Sequence, residues 1–223
     1  MTDNIKKQSL EYGATILLVT AILNKIIGAL FKIPLSADFC LGDLGFGYFS
    51  AVYDLLTPIV LLSVAGLPVA VAKIISEYNQ KQNGDALKIL IYARKLFFTV
   101  GLIATLLSLL VIFLCIKLIG VKENIFCYFA VIPSFVFCCL SSAYRGYFEG
   151  ITNMIPPAVS SFIESVCKLG LGFSFAFITV KITGNVVLGS AFALLGITLG
   201  TVFSCIYLHI VYKKNINKVI LSD

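Results

Sequence analysis

Two lysines stand in an apolar run where charge is expensive. The stretch Leu23–Pro34 reads LNKIIGALFKIP, with Lys25 inside the run and Lys32 near its far end. An ammonium at the centre of a membrane-spanning helix costs roughly 2.5–3.5 kcal/mol on insertion scales, so such charges usually face a bundle interior or a wet cavity. A cation in that setting attracts an anion far more strongly than it does in water. Anion binding is therefore the chemistry expected of Lys25 first, Lys32 second and Lys168 third. Lys168 follows Glu164 by four residues in another apolar run, a spacing that puts both on one helical face. The two could neutralise each other, or their face could line the same cavity as Lys25. Asp54, in YDLLTP, is a further acid expected to be buried; with Glu164 it would tune the lysines or couple to a cation. Arg145 and Glu149 stand four apart in SSAYRGYFEG and are expected to pair if that link is helical.

The elements that position these groups are membrane helices. Of 223 residues, 59% are hydrophobic and 13% charged, and the mean hydropathy is +1.00; a soluble globular chain is about half apolar and about a quarter charged. Six stretches reach the ~20 residues that a spanning helix needs: 13–33, 46–70, 96–119, 125–144, 157–179 and 186–212. The expected fold is an all-α, multi-pass membrane protein with one six-helix unit. The net charge of +6 reads as topology rather than nucleic-acid binding. With the N-terminus inside, the inner segments hold Lys6, Lys7, Lys73, Lys81, Lys88, Arg94, Lys95, Arg145, Lys213, Lys214 and Lys218. The outer ones hold only Lys32, Lys117, Lys122 and Lys181. Basic residues collect in cytoplasmic loops, so both termini are expected in the cytoplasm. The first run is of full spanning length and no small-residue cleavage site follows it, so it is expected to be retained rather than removed as a signal.

Within this frame several positions punctuate the helices. Pro68, after Gly66, is expected to kink the second span, with Gly66 and Pro68 as an ordinary bend or a moving hinge; Pro58 would act similarly. Pro133 is expected to break the fourth span, and Pro156-Pro157 to start the fifth. Gly42 and Gly45 suit a tight turn before the second span. Gly196 and Gly200 have the spacing that lets another backbone approach. Asn83-Gly84-Asp85 reads as a turn, and the basic, helix-like segment after it suits an anionic inner surface. The seven cysteines lack metal-ligand spacing and the chain has one histidine, His209, which reads as an interfacial side chain. GDLGFG has neither a preceding strand nor a following Lys-Ser/Thr pair. No enzyme chemistry and no cofactor are expected.

Three segments carry a resemblance: NKIIGALFKIPL (Asn24–Leu35), AGLPVAVAKIISEYN (Ala65–Asn79) and YRGYFEGITNMIPPAVSSFIES (Tyr144–Ser165). In order and spacing the chain resembles the N-terminal half of the polysaccharide-flippase branch of the multidrug/oligosaccharidyl-lipid/polysaccharide exporter superfamily, which includes sporulation proteins and lipid II flippases. The resemblance implies a MATE-like fold of two six-helix lobes around a central cavity. It also implies transport of undecaprenyl-linked saccharide across the cell membrane by alternating access, with lipid-linked saccharide and membrane lipids as partners and no nucleic acid. In the lipid II flippase branch, cations on the first helix line the cavity; Lys25, in NKIIG, matches that motif, and Lys32 matches it less closely. Lysine here stands where the family usually has arginine, which trades a bidentate fork for a point charge. One lobe is expected in this chain, so a truncated or split product, or a pairing with a separate C-terminal half or a second copy, follows. A drug or organic-cation exporter using Asp54 and Glu164 is the alternative, and a non-transporting membrane remnant or scaffold is the third.

Overall fold

The run around Lys25 folds as one uninterrupted helix, α1 (Leu10–Ser36), in a computed structural model that describes residues 10–61, 66–80, 86–119 and 124–220. Glu11 in its first turn suits the positive end of the helix dipole. The chain then turns through residues 37–41. The Gly42 amide donates to the Ala37 carbonyl at 3.1 Å, and the Leu41 amide donates to Leu35 at 3.3 Å. Gly42 has a φ of 60°, a left-handed conformation that glycine adopts without a Cβ penalty. Gly45 has a different use. Its carbonyl accepts the Ser190 hydroxyl at 2.7 Å, and a Cβ there would meet that of Val186 at 3.0 Å.

Beyond the turn come α2 (Gly42–Leu61), α3 (Leu67–Gln80), α4 (Ala86–Ile119) and α5 (Ile125–Gly150). Helix α6 (Ile155–Cys167) passes through a π-helical turn, Lys168–Gly172, into α7 (Phe173–Thr183), and α8 (Val186–Ile220) follows. Pro156 and Pro157 lie in the first turn of α6, where missing amides cost no helical bond. Gly184 ends α7 at φ 63°, and the Asn185 side-chain oxygen caps α8 by accepting from the Val187 amide at 2.9 Å.

Among the described residues, five helical stretches are long and apolar enough to cross a membrane: Glu11–Ser36, Ile89–Leu114, Ile125–Gly150, Ile155–Thr183 and Val186–Asn215. They coincide with five of the six expected spans. The remaining one, 46–70, falls across α2 and α3, and residues 62–65 between them lie outside the described residues, as does the Asn83-Gly84-Asp85 turn. One expectation about proline changes. Helix α5 runs through Pro133 unbroken; the Thr198 hydroxyl donates to the Ala130 carbonyl at 2.6 Å in the turn that the proline weakens. Pro68 lies near the start of α3, directly after a π-helical Gly66; the bend expected there falls partly on residues 62–65, outside the described residues.

Small residues set the packing. A Cβ on Gly146 of α5 would stand 2.6 Å from the Pro68 carbonyl oxygen, and one on Gly150 would stand 2.7 Å from Ile75. Likewise a Cβ on Gly196 of α8 would collide with the backbone of Gly172, and one on Gly200 would lie 2.8 Å from the Glu164 carbonyl oxygen. Close backbone approach through small residues is the usual way that membrane helices associate. Helices α5 and α8 form the interior. One apolar cluster joins Phe31, Phe49, Val131 and Leu194, and a second joins Ile75, Leu90, Phe148 and Leu208. Only 6% of the apolar window of α1 is buried, against about half for α5 and α8, so α1 lies on the rim.

Candidate functional site

Two polar assemblies occupy this helical frame. The first is buried between α5, α6 and α8. Arg145 is 5% exposed; its Nη2 donates to Glu164 Oε2 at 2.8 Å and to Ser204 Oγ at 3.2 Å, and its Nε donates to Ser160 Oγ at 3.1 Å. A buried charge is tolerable when paired and hydrogen-bonded in this way. Arg145 therefore pairs with Glu164 and not with Glu149, although α5 extends through both. The reason is orientation. Arg145 lies on the buried face of α5, within reach of a carboxylate and two hydroxyls, whereas Glu149 is half-buried and forms no ion pair among the described residues.

The expected Glu164–Lys168 neutralisation is likewise not made, because Arg145 holds the carboxylate. Lys168, the first residue of the π-helical turn, instead joins the second assembly. Its Nζ donates to the Tyr53 hydroxyl at 3.1 Å and lies 4.5 Å from the Tyr53 ring centroid and 5.3 Å from that of Phe31. Lys32 Nζ comes from α1 to 4.8 Å from the same Tyr53 ring. Tyr53 is braced by Phe49, stacked at 5.5 Å, and Phe49 by Phe31 at 5.8 Å, edge to face. Three elements, α1, α2 and the π-helical turn, thus bring two cations to one aromatic ring. Cation–π contact is worth about 0.5–2 kcal/mol according to desolvation, less than the cost of a lysine at membrane depth. Among the described residues neither lysine forms an ion pair. Their positive charge is available to an anion.

The other sequence candidates fall around this pair. Lys25 is exposed, and lies seven residues before Lys32 on the same face of α1. Between them, a Cβ on Gly28 would have nothing within 4 Å. Asp54 is exposed rather than buried, since the helical step that turns Tyr53 towards Phe49 turns its neighbour away. Gly66 is exposed, and Pro68 is buried against α5. His209 is not solitary: its Nδ1 lies 2.8 Å from the Tyr144 hydroxyl. Sequence reasoning missed Tyr53 and Phe31. The available signal was an aromatic beside a conspicuous acid, and the acid drew attention instead. Among the described residues no cluster of His, Cys, Asp and Glu could hold a metal ion.

Comparison with known proteins places this geometry in context. Residues 11–222 match the model of a family described as "Polysaccharide biosynthesis protein". Three proteins of Bacillus subtilis (strain 168) are similar. The uncharacterized membrane protein YabM is 27% identical over 96% of this chain and 40% of its own length. Stage V sporulation protein B is 25% identical over 93% of this chain and 40% of its own. The lipid II flippase MurJ is 23% identical over 91% and 39%. The chain spans about two fifths of the length of the curated relatives it matches. No solved structure matches it. With five helices of membrane-crossing length, it is a multi-pass membrane protein.

Proposed function

We propose, because this chain belongs to the polysaccharide biosynthesis protein family, that it forms one lobe of a carrier for lipid-linked saccharides in the cell membrane. In this reading the six spans are one MATE-like lobe with both termini in the cytoplasm. A second lobe, supplied by a separate C-terminal half or by a second copy, closes the cavity. The observation that carries the reading is the meeting of Lys32 and Lys168 at Tyr53 without a carboxylate. Two like charges drawn to one ring suit a doubly charged partner, and a diphosphate linking lipid to sugar supplies two negative groups side by side. Lys25 sits two turns along α1, about 10 Å by helix rise, and contacts the headgroup at a different depth. The open face beside Gly28 gives that headgroup room, while the lipid tail remains in the bilayer.

Glu164 acts through Arg145, locking α5, α6 and α8 together behind the lysines. Since Pro68 packs on Gly146, a hinge at Gly66–Pro68 carries α3 and α5 as one body. Organic-cation export would need acids facing the cavity, and Glu164 is engaged by Arg145; the lysine-lined reading is the stronger. The test is transport of a fluorescent undecaprenyl-diphosphate saccharide in proteoliposomes, with the second lobe supplied. Replacing Lys32 and Lys168 together by Gln should lower transport at least tenfold. Transport equal to that of the unaltered protein would refute the assignment. Dye efflux lost in Asp54→Asn would favour the exporter.

A further inference from the structure

A further cationic cluster lies apart from both assemblies. Helix α4 brings Arg94 over the ring of Tyr144, with its guanidinium carbon 5.3 Å from the centroid. The Tyr144 hydroxyl in turn meets His209 Nδ1 at 2.8 Å. Tyr212 packs against both, at 5.7 Å from Tyr144 and 6.4 Å from His209, and Tyr147 closes on Tyr212 at 5.8 Å. Arg94 Nε is covered and has no hydrogen-bond partner. Lys213 follows His209 by four residues on α8, a spacing that puts both on one face of that helix. Among the described residues, neither Arg94 nor Lys213 forms an ion pair. Arg94 is close to the start of Ile89–Leu114 and Lys213 close to the end of Val186–Asn215, which the expected topology puts on the same side of the membrane.

This arrangement is costly unless something negative shares it. A guanidinium fixed on an aromatic face is pre-organised for phosphate, with its fork held planar and its rotamer freedom already reduced. Lys213, exposed near the end of α8, adds a point charge. The rigid wall of Tyr144, Tyr147 and Tyr212 is of the kind found where membrane meets water, with apolar bodies and polar tips. By the distribution of basic residues, this is the end assigned to the cytoplasm. A phosphate at that depth belongs to a lipid headgroup, and the surface of the inner leaflet is negatively charged.

We propose that Arg94 and Lys213, held by Tyr144, His209 and Tyr212, form a seat for the phosphate of an anionic membrane phospholipid. The lipid bridges α4 to α8, two helices that α5 otherwise separates. The seat does not depend on what the lobe carries. Each cation contributes roughly a fivefold gain in affinity.

The test uses the full chain, purified in mild detergent, and fluorescent phosphatidylglycerol as the probe. Replacing both residues (Arg94→Gln with Lys213→Gln) should weaken binding about 25-fold, at roughly fivefold per charge. The control pair, Lys95→Gln with Lys214→Gln, removes two exposed neighbouring charges and should change binding less than twofold. The charge-preserving pair, Arg94→Lys with Lys213→Arg, should restore most of the affinity. If the double variant misfolds by circular dichroism, each single variant is read instead, with a fivefold loss expected. Equal weakening by the control pair would reduce the site to general surface attraction and overturn the proposal. Equal affinity for phosphatidylcholine, or displacement of the lipid by millimolar inorganic phosphate, would overturn it too.

Discussion

Arg145 illustrates how a single side chain can be placed wrongly from spacing alone. Four residues separate it from Glu149 and four separate Glu164 from Lys168, yet the ion pair crosses between helices, from Arg145 to Glu164. Spacing along one helix shows which groups share a face; it does not show what that face meets. Removing Arg145 leaves Glu164, 25% exposed in its side chain, with its charge uncompensated. Arg145→Ala should therefore destabilise the protein by about 3–5 kcal/mol, whereas Arg145→Met combined with Glu164→Gln should cost clearly less. Thermal unfolding in detergent, measured for the three forms, checks this. Tyr53 separates ring from hydroxyl. Tyr53→Phe keeps the face that Lys32 and Lys168 approach and loses only the 3.1 Å bond to Lys168, so substrate affinity should fall a few-fold, in line with a net contribution of about 1 kcal/mol from one hydrogen bond. Tyr53→Ala removes the platform and should cost at least tenfold. Equal effects in a binding titration would mean that the ring does not hold the lysines.

The helices themselves were largely readable from sequence, because twenty apolar residues in a row have few alternatives. Five expected spans agree with the structure to within a few residues at most ends. The α4 span differs at both ends, Ile89–Leu114 against 96–119, its start lying earlier because Ile89–Lys95 continues the helix across Arg94 and Lys95, and the α5 span runs on to Gly150 rather than ending at Tyr144. The prolines were less readable. A proline in an apolar run signals a weak point, but does not show whether the helix is interrupted there: α5 runs on through Pro133. The glycines at 196 and 200 were visible as a spacing but not as a contact, since the partner, the π-helical turn around Gly172, lies far away in sequence. This yields a sharp contrast. Gly196→Val should destabilise the fold by at least about 1–3 kcal/mol, the usual cost of overpacking, because its Cβ meets backbone that cannot yield. Gly28→Ala, with open space around it, should leave thermal stability unchanged. A loss on Gly28→Ala equal to that on Gly196→Val would argue against this packing.

Taken whole, the described helices have a well-packed interior, α5 and α8, and a rim helix, α1, that bears Lys25 and Lys32 on a mostly exposed surface. Lys25 on α1 and Asp54 on α2 are both exposed, so both carry charge where the isolated sequence pattern predicts burial. Away from the site, the turn between α1 and α2 offers a check on the packing. Cys40 there is 1% exposed, and burial pushes its thiol above the ordinary pKa. Less thiolate is present at a given pH, so maleimide labelling of Cys40 should be slow at pH 7, faster as pH rises, and rapid only after denaturation. Fast labelling at pH 7 in the folded protein would show the turn to be open. What sequence could not reveal is convergence. Lys32 and Lys168 lie 136 positions apart, and only the fold brings both to Tyr53. That convergence is best tested by equilibrium binding of an undecaprenyl-diphosphate saccharide to the full chain in nanodiscs. Binding should weaken at least tenfold in Lys32→Gln and in Lys168→Gln, and the double variant should lose less than the product of the two, as expected for neighbours sharing one ligand. Undiminished binding in the double variant, or losses that multiply fully, would contradict a shared diphosphate site.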